Sequence, residues 1–212
     1  MASYHGNIAG VLLAAGESSR FGLPKQLLPW GKTNVLNTCI ATARLAGLSP
    51  IVVVLGAHSE AILPEMDQEG VEVVINHHWA KGQSTSVKAG VAALPEDVLG
   101  AVFLMGDQPQ ISVQLIVSIM EIAWKHNTVV IPIIGGRRAN PVYFPKQAFP
   151  VLLKLEGDQG GRAVLNQFPT TLLEWLDEDM AGDIDTPEDY THLCERFGIK
   201  LEGVENVHNI KK

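Results

Sequence analysis

Short apolar runs rich in β-branched residues recur along the chain, with amphipathic stretches between them. Ile8–Ala14, Pro50–Gly56, Val71–Asn76, Ala101–Met105 and Thr128–Ile134 read as strands. Asn34–Ala46, Ser59–Met66, Ser84–Leu94 and Ile111–His126 read as helices. In the last of these, Ile111, Leu115, Ile119, Ile122 and Ala123 fall on one face. Such alternation predicts an α/β fold: a mostly parallel central sheet with helices on both faces. The pattern then loosens. "ANPVYFP" (Ala139–Pro145) and "TTLLEWLDE" (Thr170–Glu178) read as two further short strands, and a last helix begins near Thr186. The stretch from about Gly135 to Phe168 reads as an irregular lobe. No repeat or linker divides the chain, so one domain over residues 1–212 is expected. In open α/β sheets, ligands sit beyond the carboxyl ends of the strands. That places the segments Ala14–Lys25 and Gly106–Pro109 at one rim.

The 212 residues are 46% hydrophobic and 18% charged, an ordinary globular balance. No apolar run approaches the roughly 20 residues a membrane helix needs. The start "MASYHGN" lacks a basic segment followed by an apolar core, and Cys39 and Cys194 form no C-x-x-C pair. A cytoplasmic protein with no membrane partner is expected. The net charge of −7, with no basic stripe, argues against nucleic acid as a partner. A polyanionic ligand would then need local cations, backbone amides or a metal ion.

The stretch "LAAGESSRFGLPKQLL" (Leu13–Leu28) supplies such groups. Small residues directly after a strand let backbone amides approach a phosphate chain, and Arg20 and Lys25 add charge. It is not G-x-G-x-x-G, and "GKT" at Gly31–Thr33 is no Walker A ending, because Gln26 stands where the first glycine should be. The stretch resembles the L-A-A-G-x-S-x-R-[MF]-G-x-x-K signature of the nucleotidyltransferase superfamily, whose fold is Rossmann-like with a small antiparallel lobe on the acceptor side. Within it, the chain resembles most the molybdenum cofactor cytidylyltransferase family. The resemblance implies that Ala14, Ala15, Gly16 and Ser18 bind the nucleotide, while Arg20 and Lys25 neutralise its triphosphate. Guanylyltransferase relatives carry Gly-Gly where this chain has Ala14-Ala15, and added methyl groups would narrow the base site in favour of a pyrimidine. Phe21, where many members have Met, is expected to be an apolar anchor.

Asp107, in "VFLMGDQPQ", follows a buried strand. A carboxylate there is costly to bury alone and suits a hard metal beside phosphates, although it could equally cap the next helix. The segment resembles the family's G-D-x-P metal motif, which implies a metal-binding and catalytic Asp107. "AGDIDTPEDY" supplies Asp183 and Asp185 and resembles [DN]-x-[DN]-T-P-x-D. Asp185 matches the second metal ligand and Asp183 a supporting group. Thr186, Pro187, Glu188 and Asp189 read as a helix start, with an N-cap, an N1 proline and first-turn acids.

In "WAKGQSTSVKAG", Gly82, Ser84 and Ser86 are read either as base contacts or as helix-start residues. Asn140, in a strand resembling the family's N-P-V-x-F, would face the acceptor, with Arg138 near it. "EGDQGGRAVL" resembles G-D-x-G-x-R and would bring Asp158, Gly160, Gly161 and Arg162 to the acceptor, or else simply begin a helix. His77-His78 receives no metal role. Trp30, Trp124 and Trp175 are expected to pack.

The resemblance therefore implies an Mg²⁺-dependent enzyme that transfers CMP from CTP to the terminal phosphate of molybdopterin, releasing pyrophosphate. Residues of about 8–110 would bind the nucleotide and about 111–195 the acceptor, and a molybdoenzyme would receive the product. Two other readings stay open. One is a relative that uses GTP or another phosphorylated acceptor; the other is a non-catalytic carrier of the cofactor.

Overall fold

The computed structural model describes residues 6–18 and 21–200. In chain order its strands are β1 (Ile8–Ala14), β2 (Pro29–Trp30), β3 (Thr33–Asn34), β4 (Ile51–Leu55), β5 (Val71–Ile75), β6 (Gly100–Met105), β7 (Val129–Ile134), β8 (Arg137–Arg138), β9 (Val142–Pro145) and β10 (Thr170–Trp175). The α-helices are α1 (Val35–Leu45), α2 (Ser59–Ile62), α3 (Gln83–Ala92), α4 (Val113–His126), α5 (Phe149–Leu152) and α6 (Pro187–Arg196).

Every residue of β1 and of β4 is buried, as strands covered on both faces must be. The sheet order is β10-β7-β9-β6-β1-β4-β5. The β1, β4, β5 and β6 pairings are parallel, as is β10 with β7. Because side chains alternate across a strand, β1 feeds two cores. Ile8 and Leu12 pack with α1 and α4 residues such as Ile40, Leu115 and Ile119. Ala9, Val11 and Leu13 pack on the other face with Val87 and Val91 of α3 and Leu152 of α5. Among the described residues, no helix is long and apolar enough to cross a membrane.

The antiparallel elements have three placements. Strand β9, within the expected Ala139–Pro145 segment, is buried throughout and lies between β6 and β7, antiparallel to both. Strand β8 is a hairpin on β7, and β2 with β3 forms a separate small ribbon. The expected helix Ser59–Met66 is one α-turn continued by a 3-10 turn at Leu63–Glu65, where Pro64 cannot donate to an α-helical ladder. Helix α4 starts later than Ile111: Ser112 caps it, accepting from the Leu115 N–H at 3.2 Å. Asp107 is therefore not its cap. The segment Gly161–Gln167 winds as a 3-10 helix rather than an α-helix, consistent with its glycine and asparagine content.

Gly90 of α3 sits where a side chain has no room. A Cβ there would lie 2.5 Å from Val11 Cγ1 and 3.3 Å from Val54 Cγ2, both in the core. Glycine to alanine inside a helix ordinarily gains about 1 kcal/mol. Here overpacking costs about 1–3 kcal/mol and outweighs it. Gly90→Ala is expected to lower the urea midpoint without changing the slope m; a raised midpoint would refute the close packing.

Candidate functional site

Because β1, β4, β5 and β6 run parallel, their carboxyl ends share one rim. Antiparallel β9 starts at that rim, which is how Asn140 reaches it. Buried contacts fix the loop after β1. The Ala14 carbonyl accepts from Gln26 Nε2 at 3.1 Å, and the Ala15 carbonyl accepts from the Ala57 N–H at 3.1 Å. Ser18 has a left-handed φ of 55°, a costly conformation for a residue with a side chain, and its Oγ accepts from the Lys25 N–H at 3.3 Å. His58 Nε2 donates to the Glu17 carbonyl at 2.9 Å. Phe21 is buried with Trp30, Val35, Ile184 and Tyr190, so this anchor packs against the segment that carries Asp185. Arg20 lies outside the described residues.

Three chain segments meet at Lys25. Its Nζ forms an ion pair with Asp107 Oδ2, lies 3.4 Å from Asp185 Oδ1, and donates to the Ile184 carbonyl at 3.0 Å. The Lys25 and Asp107 side chains are 14% and 13% exposed, so solvent screens this pair far less than a surface pair. Burial pulls the Lys25 ammonium down, but the charge and hydrogen bond of Asp107, joined by Asp185, outweigh it. Its pKa lies above the ordinary lysine value. Asp183 moves upward: burial is the main cause, the charges of Asp107 and Asp185 add to it, and the Gln108 hydrogen bond and Lys25 oppose it.

The second Asp107 oxygen, Oδ1, is buried without a hydrogen-bond partner. An orphaned carboxylate oxygen beside Asp185 is a donor set that fits a hard divalent cation. Among the described residues no group of three or more His, Cys, Asp or Glu side chains is arranged to hold a metal by itself. A cation here would complete its shell with phosphate and water oxygens, as Mg²⁺ commonly does.

Asp107, Asp183 and Asp185 open onto a cavity of about 450 Å³. Asn140, Asp158, Gly160, Gly161 and Arg162 line the same cavity, so the structure gathers the whole expected acceptor set beside the carboxylates. Apart from Gln83 its other walls are apolar, with Phe103 and Phe144 edge to face at 5.6 Å. The segment after Gly160 begins as a 3-10 helix rather than an α-helix.

Ala14, Ala15, Gly16, Ser18, Gly82, Ser84 and Ser86 are not in the lining of this cavity. The Ala14 and Ala15 methyls are buried, facing Gly106 and Gly56. The methyls are therefore not placed to narrow a base site, contrary to the expectation from sequence. Gly82, at φ 106°, packs so tightly on the Gly157 backbone that a Cβ would lie 2.3 Å from it, and the Ser84 N–H donates to the Gly157 carbonyl at 3.1 Å. Ser86 Oγ is already engaged, accepting from Asn76 Nδ2 at 2.9 Å.

Gln83, at the start of α3, lines the cavity; sequence reasoning missed three other glutamines, Gln26 on the Ala14 carbonyl and Gln108 and Gln110 reaching the Gly182–Asp183 segment. Only the polar residues inside the apolar-flanked "PKQLL" and "MGDQPQ" stretches could have signalled them.

Comparison with known proteins agrees with this fold. Residues 10–172 match the model of a MobA-like NTP transferase domain. The chain is 33% identical over 197 residues to nicotine blue oxidoreductase of Paenarthrobacter nicotinovorans, covering 88% of this chain and 96% of that protein. It is 27% identical over 188 residues to molybdenum cofactor cytidylyltransferase of Escherichia coli, covering 88% and 95%. The crystal structure of Rv0371c from Mycobacterium tuberculosis in complex with manganese superposes with a TM-score of 0.76 at 29% identity, covering 89% and 98%.

The raised Asp183 carboxyl has a measurable consequence. The folded protein holds that proton more tightly than the unfolded chain, so stability falls as pH rises from the ordinary carboxylate range through the folded pKa. Asp183→Asn keeps an acceptor for Gln108 and removes the charge. Its Tm is expected to exceed that of the unsubstituted protein at pH 7, with the gain vanishing toward pH ~4. A lower Tm at pH 7 would contradict the assignment.

Proposed function

The chain belongs to the MobA-like NTP transferase family, and from that membership we propose that it transfers CMP from CTP to the terminal phosphate of molybdopterin. The observation that carries this reading is the meeting of Lys25 with Asp107 and Asp185, two carboxylates that line a cavity with largely apolar walls. The ammonium and carboxylates suit triphosphate and metal, and the cavity suits a ring-bearing acceptor.

An oxygen of the acceptor phosphate attacks the α-phosphorus of CTP, the bond from that phosphorus to the β-bridging oxygen breaks, and pyrophosphate leaves. The acceptor oxygen is already anionic, so no general base is required. The chain's work is positioning and charge. Backbone groups at Ala14, Ala15, Gly16 and Ser18, together with Gly82, Ser84 and Ser86, would hold the nucleotide, and Lys25 would follow charge onto the departing phosphates. Asn140, Asp158, Gly160, Gly161 and Arg162 would hold the acceptor. Asp107 and Asp185 would hold Mg²⁺, which supplies positive charge beside the α-phosphate. This divides one domain into a nucleotide half over about 8–110 and an acceptor half over about 111–195.

Support for cytidine comes from the similarity to the E. coli cytidylyltransferase. The similarity to a protein named an oxidoreductase raises a second reading. Hydride transfer, however, would leave the rim carboxylates and lysine without work.

Pyrophosphate release is to be measured from CTP and from GTP with Mg²⁺, with and without molybdopterin. Release from CTP only with the acceptor present is expected. Release from GTP alone would replace the nucleotide, and binding of the pterin without release from either would replace the enzyme by a carrier. Asp107→Ala is expected to abolish turnover with the fold retained. Lys25→Ala is expected to lower kcat by about 100-fold or more. A change in KM alone would contradict the role given to Lys25.

A further inference from the structure

Few polar side chains are buried in the described part of the protein, and two of them, Gln108 and Gln110, flank the same turn. They are 6% and 4% exposed and stand directly after Asp107. Both side-chain amides point at one short segment far along the chain. Gln108 Nε2 donates to Asp183 Oδ1 at 2.5 Å and lies 3.4 Å from the Gly182 carbonyl, and Gln110 Nε2 donates to that same carbonyl. The Gln110 Oε1 atom is buried with no partner at all. Packing alone does not account for two such residues: an apolar side chain of similar size would fill the space without burying an unsatisfied oxygen.

The segment they grip carries Asp183 and Asp185. Its far end is held by a capping box, in which Thr186 and Asp189 bond each other's side chain and backbone at the start of α6. Lys25 holds the Ile184 carbonyl from the other side. The glutamines thus tie the loop of Asp107 directly to Gly182 and Asp183, while Lys25 holds the neighbouring Ile184 carbonyl. We propose that Gln108 and Gln110 are positioning residues that set the separation of Asp107 from Asp185, and with it the affinity of the site for a divalent cation. This rests on the reading that those two carboxylates hold the cation. Partners of this kind around a metal ligand typically change metal affinity by about 10–100-fold when removed.

Mn²⁺ binding to the full chain, followed by the loss of the free-ion electron paramagnetic resonance signal, tests the inference. Gln108→Met and Gln110→Met keep the side-chain length and remove the donors, and Asp107→Asn serves as the control. Both methionine variants are expected to weaken Mn²⁺ binding about tenfold or more. In pyrophosphate release, kcat is expected to recover at saturating metal while the apparent KM for metal rises. A merely structural defect would not be rescued by metal. Should Gln108→Met fail to fold, Gln110→Met, which leaves the Asp183 hydrogen bond intact, decides the matter. Unaltered Mn²⁺ affinity in the folded variants, with the unsubstituted protein binding and Asp107→Asn failing to bind, would overturn the positioning role alone. Failure of the unsubstituted protein to bind Mn²⁺, or unchanged binding in Asp107→Asn, would overturn the metal reading and this inference with it.

Discussion

The Lys25 ammonium faces Asp107 and Asp185, with Asp183 close by. Three carboxylates around one cavity repel each other, most where burial limits screening by water, as at Asp107. The Lys25 ammonium offsets that repulsion where the segments after β1, β6 and β10 meet. The rest of the site is arranged around that meeting. Phe21 and Ile184 share an apolar cluster, so the lysine-bearing loop and the carboxylate-bearing loop are also joined by packing. Ser18 accepts the Lys25 N–H from a strained backbone, which fixes where the side chain begins.

The sheet makes this meeting possible. Residues 177–186 follow β10, which lies at the edge of the sheet beyond β7 and β9, yet they return to the end of β6. The antiparallel insertion of β9 brings Asn140 to the same rim as the parallel strands' ends, so acceptor-side and nucleotide-side groups face one cavity. A fully parallel strand there would have started at the opposite edge. The one reversed strand therefore matters to the site more than its four residues suggest.

Much of the fold was legible because periodicity reports burial. β1 was read with its observed ends, and the central strands and long helices lie within a residue or two of their readings. The two-residue strands β2, β3 and β8 were not, since two residues carry no period. The break at Pro64 and the 3-10 winding at Gly161 are local effects that an apolar pattern does not show. In the site, Lys25, Asp107 and Asp185 stood out by spacing and resemblance. Gln26, Gln108 and Gln110 did not, because an amide announces nothing until its partner is known, and Gly182 lies 72 positions from Gln110.

The amino-acid sequence by itself determined the alternation of strands and helices, the buried two-faced centre, and the types of charged residue available at the strand ends. Those follow from side-chain chemistry and short-range periodicity. Only the tertiary structure decided that Lys25 pairs with Asp107 and Asp185, that the Ala14 and Ala15 methyls turn inward toward Gly106 and Gly56, and that Asp183 is held by a glutamine. Each of those depends on the distance between atoms from remote parts of the chain, which the folded sheet sets and no local pattern encodes.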